Sequence, residues 1–141
     1  MTEPETLDAE LALRALDPGL VTRCIEACLD CAQACTSCAD ACLDDVAVAE
    51  LATCIRTNLD CADICEATAR LLGRRTGQHA NLVRAFLDTC TITCATCAEE
   101  CTRHAARLDA CDACVEACRR CEEACQDVLD RLSAGSGAAT G

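Results

Sequence analysis

Residues 24–42 read CIEACLDCAQACTSCADAC. Their six cysteines, Cys24, Cys28, Cys31, Cys35, Cys38 and Cys42, are separated by steps of four, three, four, three and four. Steps of three and four line up on one face of an α-helix. Neither Gly nor Pro interrupts the stretch. It therefore reads as a single helix with a thiol at every inward position.

Three further stretches repeat the pattern. CIRTNLDCADIC holds Cys54, Cys61 and Cys65, with Asn58 interrupting the ladder. CTITCATCAEEC holds Cys90, Cys94, Cys97 and Cys101. CDACVEACRRCEEAC holds Cys111, Cys114, Cys118, Cys121 and Cys125. Each ladder occupies heptad positions a and d, the seam that faces a bundle axis. The opposite faces carry Asp30, Asp40, Asp60, Glu66, Glu99, Arg103, Arg119 and Glu123, which suit water.

Punctuation between the ladders sets the helix limits. Asp17-Pro18 supplies an N-cap followed by Pro at the first helical position, which predicts a first long helix over 18–43. Asp44-Asp45 separates it from a second over 46–72, and Gly73 is placed to end that one in the left-handed conformation. Thr76-Gly77 opens a third over 78–106. Asp109 caps a fourth over 110–132, with Asp112 three residues on in the manner of a capping box. A shorter amphipathic segment, 5–16, precedes them. Four helices of roughly 35–43 Å joined by short connections give an all-α, antiparallel up-down-up-down four-helix bundle with a short N-terminal helix. The expected organisation is a helical segment over 1–17, a cysteine-lined bundle over 18–132 and a flexible tail over 133–141.

Antiparallel threading predicts layers. Cys42 meets His104 and Cys111. Below them come Cys38, Leu51, Cys101 and Cys114, then Cys35, Cys54, Cys97 and Cys118. Next are Cys31, Asn58, Cys94 and Cys121, then Cys28, Cys61, Cys90 and Cys125. Cys24, Cys65, Phe86 and Val128 lie lowest, closed by Val83, Leu72 and Leu132. In any nearby register the thiols converge into one tube about 27 Å long.

Composition excludes several functions. Net charge is −12, and there is neither Trp nor Tyr; nucleic-acid binding needs basic residues for phosphates and usually aromatics for bases. No stretch is apolar for the eighteen or so residues of a membrane span. The N-terminus, MTEPETLDAELALRALDPG, lacks the basic start and apolar run of a secretory signal, and has no twin-Arg. A cytoplasmic location is expected, and there thiols stay reduced and serve metals or catalysis more often than bridges.

Eighteen cysteines are too many to be ordinary core residues. A bundle axis filled with so small a side chain leaves voids, which cost stability. Neighbours at i and i+4 suit no unstrained disulfide within a helix. The CxxC pairs lie mid-helix, with no preceding strand to build a thioredoxin-like site. Soft thiolates without hard ligands select Cu(I), Zn or iron–sulfur clusters. Iron–sulfur spacing is absent. Zinc prefers isolated four-ligand sites, which paired CxxC motifs on facing helices could make. Cu(I) accepts low coordination numbers and bridging sulfur, giving a capacity of about one ion per thiol. Each ion would displace protons, which keeps the core near neutral.

The four ladders resemble those of the cytosolic copper storage proteins, cysteine-rich four-helix bundles of bacteria. The resemblance covers roughly residues 18–132. It implies non-enzymatic storage of multiple Cu(I) ions on all eighteen cysteines, assembly as a homo-tetramer and a possible copper chaperone as partner, with neither nucleic acid nor membrane involved. It also implies a His or Met ligand near one mouth, and His104, three residues beyond Cys101, is placed for that role. The mouth is expected at this end, because Phe86, Val83 and Leu72 close the other. His79 lies beyond the closed end, and Asn58 is expected to hydrogen-bond within the core. The alternatives are a zinc or mixed-metal thiolate buffer and a thiol redox reservoir.

Overall fold

A computed structural model describes residues 3–140, with side chains described for 8–134. The elements are α1 (Glu3–Arg14), α2 (Pro18–Leu43), a 3-10 turn (Val48–Leu51), α3 (Ala52–Gly73), α4 (Ala80–Thr102) and α5 (Asp109–Thr140), with no strand among the described residues. Helices α2–α5 are the four long helices of the sequence. Each packs on its two neighbours, α2 on α3, α3 on α4, α4 on α5 and α5 back on α2. This is the antiparallel four-helix bundle. Buried alanines flank the ladders: Ala32 and Ala39 on α2, Ala62 and Ala69 on α3, Ala98 on α4 and Ala117 on α5. Such small side chains let helix axes approach closely.

The helix ends show which punctuation is used. The Asp17 carboxylate accepts from the Leu20 N–H at 3.2 Å, with Pro18 in the first turn. Asp45 accepts from the Ala47 N–H at 2.8 Å and closes the turn after α2. The chain then forms the 3-10 turn before α3 begins at Ala52, rather than entering a helix at Val46. Gly73 is not left-handed; the positive φ belongs to Gly77, at 69°. That turn brings the Gln78 amide back to donate to the carbonyls of Leu71 (3.1 Å) and Leu72 (3.3 Å). A side chain thus caps α3 where a glycine is expected to. Asp109 is the first residue of α5 instead of its cap, and the Asp112 N–H bonds to the Leu108 carbonyl at 3.2 Å. Helix α4 stops at Thr102, short of the predicted 106. The α5 backbone stays helical through Thr140, past the predicted end at 132. The expected flexible tail falls largely on 135–141, outside the residues with described side chains.

Helix α1 lies against α5 and α4 at the end of the bundle where α2 and α4 begin. Leu13 and Leu16 are buried there, in one cluster with Val21, Leu72, Val83, Leu87, Val128 and Leu132. The Glu10 carboxylate accepts from the Ala80 N–H at 3.0 Å. An anion at a helix N-terminus also answers the helix dipole. Leu87, fully buried, takes the axial place predicted for Phe86, which is half-buried to one side. Stepping back three residues from Cys90, instead of four, keeps the α4 stripe centred on the axis.

Candidate metal centre

All eighteen cysteines are free thiols, and each is fully buried. The sulfurs form one connected column. From the sealed end upward, Cys24 lies 3.7 Å from Cys125, and Cys28 lies 3.9 Å from Cys125 and 3.6 Å from Cys121. Cys65 meets Cys90 (3.8 Å), Cys94 (3.7 Å) and Cys121 (3.9 Å). Cys31 meets Cys61, Cys94 and Cys118 at 3.7–3.9 Å. Cys35 meets Cys114 (3.6 Å), Cys118 (3.8 Å) and Cys97 (3.9 Å). At the far end Cys38 lies 3.4 Å from Cys111, and Cys54 lies 3.8 Å from Cys101. These spacings are far above the roughly 2 Å of a disulfide.

Among α2, α4 and α5 the predicted layers recur, with Cys28 beside Cys125, Cys31 beside Cys94, and Cys35 beside Cys97 and Cys118; α3 is displaced from its predicted level by about one helical turn. Cys61 stands beside Cys31 and Cys94 rather than Cys28 and Cys90. Cys54 stands beside Cys101 rather than Cys97. The cause is the connection: residues 44–51 are spent on the turn and the 3-10 segment, so α3 starts later along the chain than a helix from 46 would. Asn58 correspondingly sits among Cys38, Cys97, Cys101 and Cys114.

Quartets of sulfurs, each within 4.8 Å of one another, recur along the axis. They include Cys28, Cys90, Cys121 and Cys125; Cys31, Cys65, Cys94 and Cys121; Cys31, Cys35, Cys61 and Cys118; Cys35, Cys97, Cys114 and Cys118; and Cys38, Cys42, Cys54 and Cys111. Several share members: Cys121, Cys31, Cys35 and Cys118 each belong to two. Separate tetrahedral zinc sites each need four thiolates of their own. Shared sulfurs suit an ion of low coordination number whose thiolates bridge neighbouring ions, as those of Cu(I) do.

Proton affinities within the column are pushed apart. Burial first, then the neighbouring Cys38 and Cys54 charges, push the Cys42 thiol up to about 12. Burial likewise raises Cys111. Cys31 is lowered, chiefly by the hydrogen bond with Cys118, while Cys35 is raised, chiefly by the one with Cys114. Packed thiols cannot all ionise together, because each thiolate disfavours the next. A cation that neutralises them removes that conflict.

His104 lies in the turn after α4, beyond Cys101, and is partly buried. Its Nε2 is 3.2 Å from a Glu100 carboxylate oxygen, and its carbonyl accepts from the Arg107 and Leu108 N–H groups. A carboxylate that orients an imidazole is a usual companion of metal-binding histidines. Glu100 was not singled out by the sequence, although its place four residues before His104 on one helix face was legible. His79 is exposed at the start of α4, at the opposite end. Thr68 takes a ladder position beyond Cys65, and its hydroxyl donates to the Ile64 carbonyl at 2.7 Å.

The family profile described as "Copper storage protein" matches residues 19–130. The chain belongs to the copper storage protein family. Among solved copper storage proteins, the cytosolic one from Streptomyces lividans carrying five coppers is 56% identical; the alignment covers 79% of this chain and 93% of that one, with a TM-score of 0.78. The Streptomyces lividans protein loaded with 10 copper equivalents is 51% identical over 86% of this chain and 98% of that one, with a TM-score of 0.80. The apo copper storage protein 3 from Bacillus subtilis is 33% identical over 77% and 97%, with a TM-score of 0.66. No curated protein matches the chain. Among the described residues, no helix is long and apolar enough to cross a membrane.

Proposed function

We propose that this chain is a cytosolic, non-enzymatic store that holds Cu(I) on its cysteine thiolates, at about one ion per thiol. The carrying observation is the sharing of sulfurs between adjacent quartets, which favours bridged Cu(I) over discrete sites. The ligands proposed are the eighteen cysteines, with His104, steadied by Glu100, as a further ligand at the mouth. The storage unit proposed is 18–132, preceded by the short helical segment 1–17 and followed by the tail 133–141. The cytosolic location rests on the Streptomyces lividans relative, which is described as cytosolic. Assembly as a homo-tetramer and delivery by a copper chaperone rest on the family resemblance. Size-exclusion chromatography with light scattering tests the first.

The test of function is anaerobic titration of the reduced protein with Cu(I). The expected plateau is about eighteen ions, one for each cysteine. A plateau at four or five ions is the zinc-like stoichiometry of one metal per four thiolates and defeats the reading. Replacing His104 by alanine is expected to change the rate of uptake or release while leaving the plateau within about one ion. A loss of several ions contradicts its place at the mouth.

A further inference from the structure

The mouth is shut in this structure. Its outermost sulfurs, those of Cys38, Cys42, Cys54, Cys101 and Cys111, have no exposed surface. An ion in water therefore reaches none of them until something moves. Along the flanks, whole helices pack closely on buried alanines. At the sealed end, α1 and its leucines cover the column. At the mouth, only two connections lie over it, residues 44–51 and 103–108. Leu51 is the only buried residue in either. Turns with so few buried side chains open at lower cost than packed helices.

The link between the two connections is polar. Arg107 Nη1 donates to both carboxylate oxygens of Asp45, at 3.0 and 3.2 Å. Among the described residues, no other hydrogen bond or ion pair joins 44–51 to 103–108. The remaining ion pairs join positions three or four apart in the chain. Each partner is fixed in its own turn. Asp45 also accepts from the Ala47 N–H at 2.8 Å, and the Arg107 N–H donates to the His104 carbonyl at 3.1 Å. The backbone of the 3-10 segment comes close only to α2 and α3, the helices it lies between. Asp45 is partly buried and Arg107 is half exposed, so the pair borders water. Such a pair is weak: it biases the connections towards closure without locking them.

We propose that the Arg107–Asp45 pair is a clasp that holds the two connections over the outermost sulfurs, and that its opening sets the rate at which metal enters and leaves the column. Capacity does not depend on it, because neither side chain is among the ligands proposed above. The exchange of copper rests on Cu(I) storage as proposed above; access to the thiols does not. Acting instead as charges on an acidic rim, where Asp44, Glu50 and Asp109 are also exposed, the two side chains would attract or repel ions in transit. The signs then differ. Loss of a clasp acts alike whichever partner is removed, whereas loss of the carboxylate and loss of the guanidinium move the rim potential in opposite directions.

The test uses the reduced full chain with two substitutions. Asp45→Ser keeps a hydroxyl for the Ala47 N–H but is too short to reach Arg107. Arg107→Met keeps an apolar stem and leaves the Asp45 turn intact. The metal-free protein is treated with iodoacetamide, which carries no charge, and peptide mass mapping follows each thiol at low conversion. Both variants should be alkylated at Cys42 and Cys111 about two- to fivefold faster than the wild type, with Cys24 and Cys125 at the sealed end unchanged. Added salt should speed the wild type towards the variants and leave the variants unmoved. In the copper-loaded protein, release to bathocuproine disulfonate should quicken by a similar factor in both variants, with the Cu(I) plateau unchanged. A wild-type alkylation rate in either variant overturns the clasp. Equal acceleration at Cys24 and Cys125 also overturns it, since that reports a general loosening of the bundle. Copper release that changes in opposite directions in the two variants assigns the pair to rim electrostatics instead. If a variant does not fold, the wild-type salt dependence carries the test, and a rate indifferent to salt overturns the clasp. A wild type that never takes up about eighteen ions overturns storage while leaving the alkylation result in force, so the two failures are distinct.

Discussion

At the scale of the residue, the sealed end turns on one position in α4. Leu87 is fully buried in the apolar cluster below the lowest thiols, and Phe86 beside it is half-buried. Leu87→Ala is expected to cost about 2–5 kcal/mol, the range for a buried leucine that leaves a cavity. Phe86→Ala should cost distinctly less, because part of that ring already meets water. Chemical denaturation of the metal-free, reduced variants measures both, and equal losses would restore Phe86 to the axis. The thiols themselves were legible one by one, since steps of three and four determine a helix face whatever the register. Phe86 was misjudged because a step of three or of four from Cys90 satisfies the same stripe, and only packing against neighbouring helices decides between them. Asn58 was visible as an interruption, but its partners depended on that same unresolved step.

At the scale of the element, the four long helices and their order followed from the ladders and from Asp17-Pro18. The turns did not. Capping at three helix ends comes from side chains elsewhere in the chain or from unexpected backbone. Gln78 returns to the end of α3, the 3-10 turn delays its start, and Glu10 of α1 caps α4. Contacts between residues 10 and 80 leave no local mark in a sequence. Glu10→Ala removes a helix cap, and a loss of about 0.5–2 kcal/mol is expected. Hydrogen exchange should quicken first at the start of α4 and in α1. Unchanged exchange at Ala80 and its neighbours would show that the carboxylate is not holding the helix end.

At the scale of the whole molecule, the thiols whose protons are held by burial, Cys42 and Cys111 among them, make the metal-free protein sensitive to alkali. Cys42 is pushed from the ordinary thiol value of 9.0 to about 12, by burial first and then by the charges of Cys38 and Cys54. The unfolded chain therefore releases this proton at a lower pH than the folded one. The stability it contributes is fully present below pH 9 and is lost as pH rises from 9 towards 12. Cys111 shifts in the same direction, again chiefly through burial. The thermal midpoint of the reduced, metal-free protein should fall steadily above pH 9. The copper-loaded protein, whose thiolates are already matched by cations, should show a much flatter profile. Matching profiles for the two forms would mean that the metal does not sit on these sulfurs.

The two ends of the bundle are closed by unequal means. A whole helix, its leucines and a carboxylate cap lie across one end; at the other stand connecting turns, Leu51 and an ion pair between Arg107 and Asp45 at 3.0 Å. A container with one working end keeps a record of arrival. For uptake and release at the turn end alone, the ions taken up last are expected to lie nearest the exit and to leave first, as in a stack. Loading first with one copper isotope and then with a second should return the second ahead of the first, read by mass spectrometry of the released metal. A thoroughly scrambled release would mean either that ions travel freely along the column or that the helix over the far end is a door.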